Sequence, residues 1–163
     1  MFDRGRFVKF AAKYNEGAHL PASQDPRLAP AVHFCTLVVG DICMEHVPQS
    51  KGQSLHADPP PPQPVLEAVH QGVAKALDLL HEKDPVFGDL REPNVLYLPE
   101  GGGRVLLVDF DAVGRDGMDR FSACLNPEAG LGVVRWQIVE RAHNCENLKR
   151  LVGGLSCRMS RAW

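Results

Sequence analysis

The sequence predicts an α+β fold in two parts, and three observations support this. Residues 1–48 are predicted to form short apolar strands and one short helix. A proline-rich stretch follows at residues 49–64, and residues 65–152 combine helical patterns with a two-stranded hairpin. Strands and helices that are segregated along a chain are typical of α+β architectures. Residues 153–163, rich in glycine, serine and arginine, are expected to form a frayed tail.

The composition is that of an ordinary globular domain. The 163 residues are 44% hydrophobic and 23% charged, with a formal net charge of −2. That charge gives no argument for nucleic acid or an anionic membrane as a partner. The five cysteines show no C-x-x-C spacing, which predicts reduced, buried thiols rather than structural zinc. Together with the lack of a signal-peptide pattern, this predicts an intracellular, cytoplasmic protein.

The first part is predicted to contain several short strands around one helix. The predicted strands are residues 7–10, 31–35, 37–39 and 42–45, and the helix covers residues 11–19. Pro21 is expected to end that helix, because proline lacks the backbone N–H that a helix interior requires. Lys9 lies within the first strand, and a lysine there is most often a solvated edge-strand residue.

The linker and the long helix are the clearest compositional features. Asp58 is followed by four prolines, which favour an extended polyproline conformation and so an exposed linker. A docking segment for an aromatic-lined groove is the alternative for this stretch. Residues 65–83 then predict a helix with one buried stripe, formed by Leu66, Val69, Val73, Ala76, Leu77 and Leu80.

Residues 86–114 bring together the side chains with the clearest chemical meaning. Two apolar runs, residues 95–98 and 105–108, flank a glycine-rich turn and predict a β-hairpin. Asn94 precedes the first strand and Asp109 follows the second, so the hairpin should place them side by side. Asp89 lies on the loop that leads in. Oxygen ligands of this kind suit Mg²⁺, and a further carboxylate beside it can orient a hydroxyl.

The order D-x-x-x-x-N…D resembles the catalytic and metal-binding loops of the protein kinase-like superfamily. The phrases Gly88-Asp89-Leu90-Arg91 and Pro93-Asn94-Val95-Leu96 look especially like the protein kinase-like proteins of fungi. The resemblance implies a protein kinase-like two-lobe fold with an incomplete small β-lobe and a shortened, mainly helical C-lobe.

The resemblance also implies roles for individual residues. Asp89 would be the catalytic base, and Arg91 would neutralise the transferring phosphate. The Mg²⁺ ligands would be Asn94 and Asp109. The nucleotide would be ATP, and Lys9 would pair with its phosphates.

Two further features of the small lobe follow from the resemblance. In the family a helix glutamate pairs with this lysine, and Glu16 or His19 could take that place here, although neither fits well. The backbone of Glu45, His46 and Val47 would contact the adenine.

Three departures from the family pattern define the alternatives. Phe87 replaces the usual histidine before the base, Asp111 replaces a frequent glycine, and no glycine-rich loop precedes Lys9. The leading hypothesis is phosphoryl transfer to a protein serine or threonine, or to a small molecule as in aminoglycoside and choline kinases. A pseudokinase-like interaction module or an incomplete kinase fragment is the second hypothesis. A metal-dependent hydrolase is the third.

The segment after the hairpin is predicted to be irregular and then helical. Residues 115–131 are polar and irregular, as expected for a loop that contributes to a substrate platform. Residues 133–151 return to helical spacing, with Val134, Ile138, Ala142 and Leu148 as core positions. Trp136 is expected to be a packing anchor in this helix.

Overall fold

A three-stranded antiparallel sheet and one helix make up the first part of the chain. The computed structural model describes residues 7–11, 14–25, 28–38, 41–46, 52–56, 61–98, 104–121 and 133–160. The strands are β1 (Phe7–Ala11), β2 (Val32–Val38) and β3 (Asp41–His46), in the order β1-β3-β2. Where two strands were predicted, β2 is a single strand with a register irregularity between Val32 and Phe34.

Helix α1 (Glu16–Ser23) begins at a side-chain cap and runs through its proline. The backbone N–H of Ala18 donates to the Asn15 side chain at 3.0 Å, which satisfies one of the free donors of the first turn. The prediction that Pro21 ends the helix is wrong, since it lies inside the helix. Burial of Ala18, His19 and Ala22 against the core offsets the backbone hydrogen bond that proline cannot make.

The second part of the chain contains the predicted hairpin. Strands β6 (Val95–Leu98) and β7 (Arg104–Leu107) are antiparallel, and Val95 pairs with Leu107. The glycine turn at 101–103 lies outside the described residues. A short pair, β5 (Pro85–Val86) with β8 (Gly114–Arg115), brackets the segment that carries the site.

Part of the predicted linker is packed rather than exposed. Strand β4 (Gln53–Ser54) pairs with β6, and the neighbouring Leu55 is 0% exposed. The exposure expected for residues 49–64 therefore does not hold at Leu55, because an apolar side chain next to a sheet edge gains more from burial than from solvation. Residues 57–60, with the first prolines, lie outside the described part of the chain.

Helix α2 (Gln63–His81) forms the centre of the core and confirms the predicted helix. All the predicted stripe residues are buried, namely Leu66, Val69, Val73, Ala76, Leu77 and Leu80. The helix packs on β7, where Gly72 lies against the Val105 side chain. This contact fixes the hairpin, and with it Asn94 and Asp109, against the core.

Replacement of Gly72 by alanine is expected to destabilise the protein by about 1–3 kcal/mol. A Cβ atom there would lie 2.5 Å from Val105 Cγ2, and valine has little rotamer freedom with which to yield. Gly17→Ala in α1 is the control, since its Cβ meets nothing closer than 3.5 Å and alanine favours helices. Chemical denaturation measures both. A Gly72→Ala protein as stable as the wild type would contradict this packing.

The last helix lies further along the chain than predicted. Helix α3 covers Arg141–Ser160, so residues 153–160 are helical rather than frayed. Residues 133–140 form an irregular segment, with Phe121 N–H donating to Gln137 O and Trp136 N–H donating to Phe121 O at 2.9 and 3.2 Å. These bonds to another segment replace the helical ones. The packing roles expected in the predicted helix are wrong for Val134, Trp136, Ile138 and Ala142, all of which are exposed.

Two further observations concern the described residues only. No helix among them combines the length and the apolar character that a membrane span requires. Cys145 is exposed, so the expectation of buried thiols is wrong at this position, which lies on the outer face of α3.

Candidate active site

Asn94 links the two ends of the hairpin to the preceding loop. It closes a short 3-10 turn, and its backbone oxygen accepts from Val108 N–H at 3.0 Å, directly beside Asp109. Its side-chain Nδ2 donates to the backbone oxygen of Asp89 at 2.9 Å. Asn94 is only 5% exposed. Because the amide nitrogen is engaged in this way, the amide oxygen is the atom that remains to face a ligand.

Asp109 has an uncommon backbone conformation. Its φ and ψ are 69° and 70°, in the left-handed region that costs a residue other than glycine about 1–3 kcal/mol. The 3-10 turn Phe110–Ala112 follows immediately and buries the Phe110 side chain. Strain of this order persists where the surrounding structure fixes the residue, and here the Asp109 carboxylate contacts Lys9 on β1.

Lys9 pairs with two carboxylates of this loop. Its Nζ lies 2.6 Å from Asp109 Oδ1 and 2.8 Å from Asp111 Oδ2. Burial lowers the pKa of Lys9, but the hydrogen bonds that it donates to Asp109 and Asp111, together with the charges of these aspartates, outweigh burial and leave its pKa above the ordinary value. Lys9 therefore pairs with this loop rather than with Glu16 or His19, the helix residues that the resemblance suggested. The lysine is charged and is held by the loop itself.

A cavity of about 280 Å³ joins these side chains. Its lining includes Lys9, Asn94, Asp109 and Asp111, with Tyr14, His19 and Phe110 as ring-bearing walls. The structure thus brings together three of the predicted site residues, Lys9, Asn94 and Asp109. Asp111, which was noted only as a departure from the family pattern, lies with them.

Asp89 and Arg91 form a pair beside this cavity. The guanidinium of Arg91 donates through Nε to Asp89 Oδ1 at 2.6 Å and through a terminal nitrogen to Oδ2 at 2.9 Å. A fork of this kind is strong and fixes the carboxylate orientation. Asp89 does not line the cavity itself, but the Asn94 side chain connects its backbone to the residues that do.

Gly88 allows the close approach that this loop requires. A Cβ atom at Gly88 would lie 2.3 Å from the backbone oxygen of Ala112. The loop that carries Asp89 and the turn that follows Asp109 can therefore touch only if residue 88 lacks a side chain.

Ring contacts with Phe110 support the loop that carries Asp109. His19 stacks on Phe110 with ring centroids 4.3 Å apart and 3° between the planes, and Phe87 meets Phe110 edge-on at 5.4 Å. His19 also bonds to the Tyr14 hydroxyl and, through Nε2, to the Pro30 oxygen. Phe87 is 0% exposed and so takes a packing role where the family pattern has histidine.

The predicted adenine-contacting residues lie elsewhere in the small sheet. Glu45 and His46 end strand β3, where each is paired with both β1 and β2. Val47 lies outside the described residues. The described lining of the cavity comes from other elements, so an adenine contact at this strand end stays a prediction.

The donor set of the cavity fits Mg²⁺. Asn94 and Asp109 offer an amide oxygen and a carboxylate, and Mg²⁺ typically takes one or two protein oxygens together with water and substrate phosphates. The described residues contain no group of three or more His, Cys, Asp or Glu side chains arranged to hold a metal. This donor set is therefore suited to an ion that is shared with a ligand rather than to a closed structural site.

Asn144, on α3, is a buried polar residue near the site that the sequence analysis missed. Its side chain is 0% exposed. With the amide oriented to satisfy its neighbours, the oxygen accepts from Phe87 N–H at 3.1 Å and from His81 Nε2 at 2.9 Å, while the nitrogen donates to Phe87 O. These bonds tie the backbone just before Asp89 to the helix. The sequence contained a signal for this role, because Asn144 lies seven residues before the apolar Leu151 and so shares its helix face. An amide that is buried on such a face needs hydrogen-bond partners.

His81 should make stability depend on pH. Burial and the charge of Arg141 lower the pKa of His81, against smaller opposing effects of Asp78 and Asp116. The unfolded chain thus binds more protons, and stability present above about pH 6.5 is lost as the pH falls through the lower folded value. We expect acidification to destabilise the wild type more than His81→Gln in denaturant titrations. His70→Gln, exposed on the same helix, should behave as the wild type. Equal pH dependence of wild type and His81→Gln would contradict this.

Comparison with known proteins agrees with the fold. No protein-family model matches the sequence, and no curated protein matches it. Among solved structures, the chain is similar to the Cydia pomonella granulovirus kinase PK-1, with a TM-score of 0.64 and 15% sequence identity. The match covers 94% of this chain and 60% of the viral kinase, so the chain spans less than two thirds of that protein. The α+β fold is therefore protein kinase-like, as predicted.

Proposed function

We propose that the protein is a kinase-like phosphotransferase that transfers the γ-phosphate of ATP to a hydroxyl group. The observation that carries this proposal is the convergence of Lys9, Asn94 and Asp109 on one cavity. The three residues come from β1, from the turn just before β6 and from the segment just after β7, so their meeting is a property of the fold and not of one short motif.

Each residue has a chemical role in this proposal. The Lys9 ammonium binds nucleotide phosphates, and the oxygens of Asn94 and Asp109 bind Mg²⁺. When bound, Mg²⁺ neutralises charge on the phosphates. Asp89 orients the acceptor hydroxyl and takes its proton, provided that Arg91 shifts from its two carboxylate oxygens toward the transferring phosphate. The strand end at Glu45, His46 and Val47 would contact the adenine through its backbone.

The acceptor class and the subfamily are finer proposals. A cation two residues after the base, Arg91, suits a protein serine or threonine acceptor, and a small hydroxyl-bearing molecule is the alternative. The phrases around Asp89 and Asn94 favour a fungal-type kinase-like protein. The match covers only 60% of the viral kinase, so the likeness in fold does not extend to a complete enzyme. That this chain has the activity of a whole kinase is therefore also a proposal.

Nucleotide binding to the purified chain tests the proposal most directly. A ligand that binds only the folded state increases the free energy of unfolding, by about 2.7 kcal/mol when the ligand concentration is 100 times the dissociation constant. The melting temperature rises accordingly. ATP with Mg²⁺ is expected to shift the wild type, and Asp109→Asn is expected to abolish the Mg²⁺-dependent part of the shift. Asp78→Asn, exposed on α2, is the control. A wild type that shows no shift at millimolar nucleotide would refute the proposal.

A nucleotide-binding module without catalysis is the second candidate function. Two observations favour it: both Asp89 carboxylate oxygens are engaged by Arg91, and Phe87 replaces a histidine. This candidate predicts an ATP-dependent thermal shift without phosphate transfer to proteins or to solvent. Transfer from radiolabelled ATP, measured on the same preparations, separates the two functions.

A further inference from the structure

Asp111 contacts Lys9 almost as closely as Asp109 does, yet the proposed function gives it no role. Its Oδ2 lies 2.8 Å from Lys9 Nζ, and its Oδ1 is buried with no hydrogen-bond partner in the described structure. It follows Asp109 by two residues in the 3-10 turn Phe110–Ala112. A carboxylate that is partly buried and bonded by one oxygen only is costly unless the charge opposite it compensates.

Helix α1 contacts this turn without contributing an acid. Asn15 Nδ2 donates to Val113 O at 3.2 Å, and His19 stacks on Phe110. Glu16, the acid in the first turn of the helix, is exposed, and the ring nitrogens of His19 bond to Tyr14 and Pro30. The helix therefore supports the turn through an amide and a ring, and the acid that meets Lys9 comes from the turn itself.

We propose that Asp111 is the positioning residue that holds the Lys9 ammonium in the cavity, a role that rests on the proposed function. Two carboxylates face one ammonium, so a cation that recruits Asp109 takes away only one partner of Lys9. Asp111 then keeps the ammonium directed at the nucleotide phosphates. The two aspartates thereby have different roles: Asp109 binds the metal, and Asp111 holds the lysine.

A double-mutant cycle on nucleotide affinity tests this division. Asp111→Asn is expected to weaken ATP binding about tenfold, within the range of coupling between contacting residues. In a Lys9→Met background the same substitution should have no further effect, because the partner is already gone. Asp111→Glu should restore most of the affinity. Equal losses from Asp111→Asn in both backgrounds would overturn the proposal.

The dependence on Mg²⁺ separates positioning from metal binding. In the Lys9→Met background, Asp111→Asn should leave the Mg²⁺-dependent part of ATP binding unchanged, because Asp111 acts only through Lys9. Asp109→Asn should act mainly on that part. If Asp111→Asn instead removes the Mg²⁺ dependence, Asp111 is a metal ligand and its assignment to Lys9 is wrong.

A cycle on the nucleotide-free protein keeps the inference separate from the proposed function. Thermal unfolding of the wild type, Lys9→Met, Asp111→Asn and the double variant measures the coupling between the two side chains without ATP. A wild type that binds no ATP would refute the proposed function, and the sign of this coupling would still decide the Lys9–Asp111 assignment. Additive shifts in melting temperature would overturn it. Should Asp111→Asn fail to fold, recovery in the double variant supports the pair and continued failure overturns it.

Discussion

Replacement of Phe87 by alanine is expected to lower the free energy of unfolding by about 3–5 kcal/mol. The Phe87 side chain is 0% exposed and meets Phe110 edge-on, with ring centroids 5.4 Å apart. Truncation leaves a cavity between the helical core and the Asp109 turn, and it removes an aromatic contact as well. Its neighbours are fixed by α3 and by the hairpin, so the surroundings can relax only partly into the space.

Phe10→Ala is the matched control for this prediction. It is the same chemical change at a side chain that is 62% exposed on β1, and it should shift stability by no more than about 0.5 kcal/mol. Urea denaturation of both variants gives the comparison. A Phe87→Ala protein that unfolds at the wild-type urea concentration would show that the ring is not part of the packed core.

The parts of the site that could be predicted depend on local pattern. Asn94 and Asp109 flank two strands joined by a short turn, so strand pairing alone brings them together. The apolar stripe of α2 is similarly local, since residues at helical spacing share one face whatever packs against them. The residue types and their order then sufficed to predict a kinase-like fold.

The remaining parts of the site depend on contacts between distant segments. Lys9 and Asp109 are separated by 100 positions, and no local feature distinguishes Asp109 or Asp111 from Glu16 as the partner of the lysine. Asn144 likewise bonds to His81, 63 positions away. Such pairings are set by how the packed elements lie against one another, which periodicity does not report.

The predicted helix boundaries were wrong where tertiary contacts compete with local helix propensity. Pro21 is tolerated because the buried face of α1 outweighs one missing backbone bond. Residues 133–140 have helical spacing, yet they bond to Phe121 and place Trp136 at a φ of 65°. The site nonetheless depends little on these boundaries, because its carboxylates and amide lie on the hairpin and its adjoining loops.

Asp89→Asn is expected to lower kcat for phosphate transfer by about 10²–10⁴-fold, the usual contribution of a general base. The amide keeps the shape of the carboxylate but cannot accept the acceptor's proton, and it pairs more weakly with the Arg91 guanidinium. Nucleotide affinity should change little, because Asp89 does not line the cavity that contains Lys9, Asn94 and Asp109. This separates Asp89→Asn from Asp109→Asn, which should lose Mg²⁺-dependent binding.

Steady-state rates with a peptide or small-molecule acceptor, together with ATP titrations of each variant, measure the two effects independently. Asp84→Asn is a suitable control, because Asp84 lies five positions upstream of Asp89 with its side chain 85% exposed and, at a φ of 73°, in a conformation that asparagine also tolerates. Turnover at the wild-type rate in Asp89→Asn would exclude Asp89 as the base. Loss of both turnover and ATP binding would instead mean that the Asp89–Arg91 pair maintains the loop, since the backbone oxygen of Asp89 is the acceptor that orients Asn94.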